Sequence, residues 1–183
     1  MLLAMLWVRS HATRRLLTLV FVGFFATVAL AATAPAPAQA NCSHSAESVN
    51  RISKKNARSA IQCLFNKMRS AKNVKRNGNL EQAAQNHSST MASSGCFSHQ
   101  CLGEPNLRDR VARTGYLRGA SGWELGEVIL VAHDQTSSRN IANAFGSSSS
   151  HRATITKSSF DHVGIGISFR GGRVYVTGDF GHR

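Results

Sequence analysis

The stretch "GCFSHQC" (95–101) sets Cys96, His99 and Cys101 within one short loop. Such a set serves three kinds of chemistry. It can close a disulfide, hold a metal through two thiolates and an imidazole, or present a low-pKa thiol beside a base. A second set of reactive types is "SSSSHR" (147–152), where Ser149 and Ser150 stand beside His151. A hydroxyl next to an imidazole is the pairing of nucleophilic hydrolysis. Adjacent residues rarely reach attack geometry, however, and the serine run reads more simply as a flexible loop.

The compartment decides among the cysteine readings. Arg9, Arg14 and Arg15 precede the uncharged run "LLTLVFVGFFATVALAA" (16–32), and Ala38-Gln39-Ala40 follows. This is the order of a secretory signal, so residues 1–40 are expected to be removed after Ala40; if they are retained, 16–32 is a membrane anchor. An exported chain with four cysteines, Cys42, Cys63, Cys96 and Cys101, is expected to carry disulfides. Inside a helix, residues five apart are separated by about 7.5 Å of rise, too far for a bridge. The chain must therefore leave its helix at Gly95 and curl if Cys96 is to meet Cys101. Cys42–Cys63 follows by elimination and ties an N-terminal extension (41–56) to the first helix. The metal and free-thiol readings of the loop remain alternatives.

Charge points to a class of partner. The first forty residues hold three of the 22 Lys and Arg and none of the 9 Asp and Glu, which leaves residues 41–183 at net +10. The segment 51–76 has no acid, and Arg51, Lys54, Lys55 and Arg58 recur at helical spacing there. A basic face of this kind suits an anionic cell-envelope polymer or lipid headgroups. Nucleic acid is not expected, because no base-stacking motif accompanies the charge.

The elements that must position these residues are partly legible. Ala57, Ile61, Leu64, Phe65 and Met68 predict a helix over 51–72. "NVKRNGN" (73–79) is a turn, Asn79 a cap, and Leu80, Ala84, His87 and Met91 form one face of a second helix ending at Gly95. His87 reads as a packing residue. Pro105 opens a short third helix ending at Gly115, and a fourth runs over 137–145. "WELGEVILVA" (123–132) is irregular and then apolar, with Trp123 as cleft wall or core. "VGIGISF" (163–169), a Gly-Gly turn and "RVYVTGDF" form an antiparallel hairpin. Helices followed by a hairpin predict an α+β domain. His133, His162 and His182 have no evident partner.

Seven segments in this order, "LFNKMR", "LEQAAQNHSSTM", "CFSH", "GY", "GE", "SHRATI" and "VGIGI", resemble the CAP superfamily, which includes cysteine-rich secretory proteins, antigen 5 and pathogenesis-related 1 proteins. The bacterial secreted branch is most similar, and the domain spans 57–183. The resemblance implies an α-β-α sandwich and a cleft lined by His99 ("FSH"), Glu127 ("GE") and His151 ("SHR"). Two imidazoles and a carboxylate suit a divalent metal, zinc first, and an open fourth position activates water. Glu127 and His151 are then weak catalytic candidates for a metal-assisted or Ser/His hydrolase. The alternative is a hydrogen-bonded polar cluster without metal. The resemblance also implies capture of lipid or sterol and partner recognition. A secreted monomeric binding or envelope-associated protein is the expected whole, leaning away from enzyme. Three positions depart from the family pattern: Val128 replaces an Asn after Gly-Glu, Phe145 replaces a Trp, and the second acid is missing, with Glu124 nearby in sequence.

Overall fold

The computed structural model describes residues 41–183; the expected leader and its cleavage point lie outside the described residues. Helix α1 (Lys54–Met68) begins where Ser53 accepts a hydrogen bond from the Asn56 amide, and it buries Ala57, Ala60, Ile61 and Phe65. Arg51 thus precedes the helix rather than riding on it. Helix α2 (Gly78–Ser94) is capped two residues before the expected Asn79, because the Asn77 side chain accepts from the amides of Asn79 and Leu80. Gly95, at φ 72°, ends it in the left-handed conformation. Asn106 caps α3 (Leu107–Arg113), between the expected Pro105 and Gly115.

Two more helices follow, α4 (Ser138–Ser147) and α5 (Ser149–Thr156). The second corrects the sequence reading of a flexible serine loop. Ser148 ends α4 through its own N–H to the Phe145 carbonyl, and its side chain accepts from the His151 amide to start α5. One serine therefore serves both helix ends.

The sheet runs β1-β3-β4-β2. Strands β3 (His162–Arg170) and β4 (Arg173–His182) form the expected hairpin, with Gly171 and Gly172 at φ 56° and 72° in the turn. The two-residue β1 (Lys75–Arg76) pairs parallel to β3, which makes the sheet mixed. Strand β2 (Glu124–His133) pairs antiparallel with β4 along its whole length.

Both sheet faces are covered, giving the three layers expected. Val128, Val163, Ile165, Ile167, Val174, Val176 and Phe180 pack with Phe65, Ile141, Phe145 and Ile155 beneath α1, α4 and α5. On the other face Ile129 and Tyr175 meet Met91 and Ala92 of α2. There α2 lies directly on the backbone of β3. A Cβ at Gly164 would stand 2.0 Å from the Glu81 nitrogen, and one at Gly166 would stand 2.1 Å from the Ala84 carbonyl oxygen. This close approach fixes the height of α2 above the sheet, and with it the depth of the polar groups between them.

Candidate functional site

Strand alternation sends Glu127 to the α2 side of the sheet, directly opposite Asp179 across the β2–β4 pair. The Glu127 side chain is 3% exposed, and its oxygens are both taken. Oε1 accepts from His99 Nδ1 at 2.8 Å, and Oε2 accepts from the Arg110 guanidinium. Arg110, on α3 and 4% exposed, also donates to the carbonyls of His99 (3.0 Å) and Pro105 (3.1 Å). One guanidinium thus fastens the 96–105 loop to β2. The disulfides Cys42–Cys63 and Cys96–Cys101 are both formed, with Cα separations of 5.7 and 6.0 Å, and the second curls this loop as expected.

Behind Glu127 lies a set of polar groups that sequence spacing did not bring together. His87 is completely buried and shares Nδ1 with the Glu104 carboxylate at 2.8 and 2.9 Å, so it is a hydrogen-bonded member of the site and not merely a packing residue. Its Nε2 lies 3.9 Å from Glu127 Oε2, and Arg110 Nη1 lies 3.8 Å from Glu104 Oε2. Asp179 is wholly buried, and neither of its carboxyl oxygens has a hydrogen-bond partner among the described residues. Burial first, then the Glu127 charge, raises its pKa well above the usual carboxyl range. For Glu127 itself burial works upward, but the His99 hydrogen bond and the charges of Arg110 and His87 outweigh it and hold the carboxyl below its usual value.

These anchors set the two outer histidines. The His99 side chain is 61% exposed, and its pKa is raised, chiefly by the bond to Glu127. With Nδ1 bound to the carboxylate, Nε2 is turned to solvent. His151 enters from α5, where its ring packs edge-on against Phe145 with centroids 5.4 Å apart. Phe145 is fully buried and sits edge-on to Phe65 as well, so the aromatic at this position supports the histidine. Burial, then the charge of His99, lowers the His151 pKa.

Several expected roles change. Among the described residues no three His, Cys, Asp or Glu side chains stand together as a metal-ligand group. Glu127 is occupied by His99 and Arg110, one step back from any ion the imidazoles would hold. Glu124 does not replace the missing acid: it pairs with Lys157 and accepts from Ser159 at 2.5 Å, away from Glu127. The acids that share Glu127's surroundings are Glu104 and Asp179. Ser150 is bonded to the Ser148 hydroxyl at 3.1 Å, and no hydroxyl among the described residues bonds the His151 ring. Arg58 leaves the proposed basic face, because it is bound to Glu81 at 2.9 Å and Gln85 at 2.6 Å. Arg51, Lys54 and Lys55 remain exposed. His162 meets the Tyr116 hydroxyl at 3.1 Å, and His182 meets Asp161 at 2.5 Å. Trp123 is 46% exposed beneath Arg108, so it is not core.

The fold places the chain among known proteins. An extracellular protein of Bacillus anthracis containing an SCP domain aligns with a TM-score of 0.59 and 20% identity, over 72% of this chain and 44% of that one. An outer surface protein of Borrelia burgdorferi aligns at 0.61 and 14% identity, over 72% of this chain and 96% of that one. A cysteine-rich secretory protein of Staphylococcus aureus aligns at 0.50 and 17%, over 70% of this chain and 39% of that one. The chain thus corresponds to less than half of the first and third. No curated protein matches it in sequence. The model of the cysteine-rich secretory protein (CAP) family matches residues 62–180, and the chain belongs to that family.

Proposed function

We propose that this is an exported binding protein of the cell envelope, and that His99 and His151 together take up a divalent cation, zinc first. The observation that carries the reading is the Glu127 carboxylate, buried and pinned by Arg110, which holds His99 by Nδ1 at 2.8 Å and turns Nε2 outward. A carboxylate behind a histidine in this way fixes the tautomer and raises the basicity of the outer nitrogen. His151, held neutral to lower pH than a free imidazole, supplies the second soft donor. When bound, the ion would act as a Lewis acid that accepts oxygen donors from a further ligand. Glu127 orients and does not ligate. The absence of a hydroxyl–imidazole pair at Ser149, Ser150 and His151 favours binding over hydrolysis.

Export rests on the leader-like 1–40 and on relatives described as extracellular or as an outer surface protein. Among the described residues no helix is long and apolar enough to cross a membrane. The net +10 of residues 41–183, with Arg51, Lys54 and Lys55 exposed, supports attachment to anionic envelope polymers.

Calorimetry with zinc on the wild type and on a His99→Ala, His151→Ala double variant tests the cation reading. Heat of binding in the first and none in the second is expected; equal heats from both would overturn it.

A further inference from the structure

A recess lined mostly by polar residues lies between α2 and α3, and neither His99 nor His151 lines it. Its volume is about 260 Å³, and it is lined by Gln82, Asn86 and Thr90 of α2 and by Glu104, Pro105, Arg110, Arg113 and Thr114. Gln82, Asn86 and Thr90 follow one another at a spacing of four along α2, so they form a single row on one face. The side chains of Gln82, Asn86 and Arg113 make no hydrogen bond or ion pair among the described residues. Deeper in, Arg110 is 4% exposed, and its Nε is buried without a partner. Glu104 is bonded to His87 and lies 3.8 Å from Arg110, so Arg113 is the cation of the recess that has no partner among the described residues.

The chemistry of this lining selects a ligand. Amides and a hydroxyl offer donors and acceptors in a row, which match a polyhydroxylated ring. A free guanidinium matches one carboxylate. An alkyl chain or a sterol would strip water from these groups and return no hydrogen bond, at a cost. The volume falls just short of the ~300 Å³ at which pockets for drug-sized ligands begin, which leaves room for one small ring. We propose that this recess binds a single sugar unit bearing a carboxylate, an acidic saccharide residue of an envelope polymer. Arg110 borders both sites, but neither His99 nor His151 lines this recess, so the two readings are tested by different residues.

The test is a nitrogen-resolved NMR titration of the disulfide-bonded protein in EDTA, with N-acetylmuramic acid, N-acetylglucosamine and lactate as probes. The acidic sugar should move the side-chain amide signals of Gln82 and Asn86 and the backbone signals around Arg113. It should bind at least about tenfold more tightly than either the neutral sugar or the carboxylate alone. Arg113→Met should bring the acidic sugar down to the affinity of the neutral one, and Asn86→Leu should abolish both; each residue is exposed, so neither change threatens the fold. The His99→Ala, His151→Ala variant should bind the sugar as the wild type does. Equal binding of all three probes, shifts confined to other surfaces, unchanged affinity in both variants, or no shift at millimolar sugar would each overturn the proposal.

Discussion

Replacing Arg110 by methionine is the most demanding single perturbation of this account. Methionine keeps the stem and its packing but removes five donors. In the native protein those donors serve Glu127, whose side chain is 3% exposed, and the carbonyls of His99 and Pro105, with Glu104 at 3.8 Å. The variant leaves one buried carboxylate without its cation, a second with less compensation, and two carbonyls to find new partners. Breaking a buried ion pair by deleting one member costs about 3–5 kcal/mol. The fold has about 5–15 kcal/mol in total, so about a fifth or more of it would go. For a domain of this size the melting temperature should fall by about 10–20 °C. Urea unfolding of the two proteins at pH 7 measures the difference directly. The pH dependence adds a sharper test. The Glu127 carboxyl lies below its usual pKa in the folded state, so the stability it contributes is present above the unfolded value and is lost as pH falls through the folded one. The gap between wild type and variant should therefore shrink below about pH 4. A loss under about 1 kcal/mol, or a gap that does not depend on pH, would refute the role given to Arg110.

Further expectations concern the same polar layer and its supports. Glu127→Gln should lower the His99 titration midpoint, followed by proton NMR, because the hydrogen bond that His99 donates to the carboxylate is the chief cause of its elevation. Asp179→Asn should be more stable than wild type at pH 7 but not at pH 3: the folded carboxyl keeps a proton that the unfolded chain releases above about pH 4, so wild-type stability falls as pH rises. Gly166→Ala should cost about 3 kcal/mol or fail to fold, since its Cβ would stand 2.1 Å from the Ala84 carbonyl oxygen, whereas Gly122→Ala, with open space around it, should be neutral in the same denaturation assay. Charge reversal of Lys54 and Lys55 should weaken salt-sensitive retention on cell-wall material, read by a step gradient of salt. Arg58→Gln should reduce thermal stability and leave retention unchanged, because Arg58 is bound to Glu81 and Gln85.

What could be read from sequence follows from how local each signal is. The hairpin was legible because Gly171 and Gly172 permit a turn at positive φ and alternate residues on β3 are apolar. Strand β2 was not, because helices cover both sheet faces. Val128 and Leu130 turn to one core while Ile129 and Val131 turn to the other, and no alternation survives. Helix α5 was hidden by its serines, whose capping value depends on which of them adopts an extended backbone; Ser148 does, at φ −87° and ψ 122°. The outer site residues His99, Glu127 and His151 came from family resemblance alone. The groups behind them, His87, Glu104, Arg110 and Asp179, gave two kinds of signal. His87 sat on an apolar helix face, where a histidine is buried only with a partner. Asp179 lies in a strand whose inner positions are mostly apolar or glycine, a placement that marks a buried acid. What the chain order could not supply was that both point to Glu127, because that depends on α2 resting on the glycines of β3.

The direct measurement is the tautomer and metal response of the histidine rings, observed by long-range proton–nitrogen NMR at pH 7.5 before and after zinc is added. The account predicts that neutral His99 carries its proton on Nδ1, and that zinc moves the Nε2 signal of His99 together with the ring signals of His151 while His87 stays where it was. A His99 proton on Nε2, or zinc shifts confined to His44, His133 and His182, would contradict it.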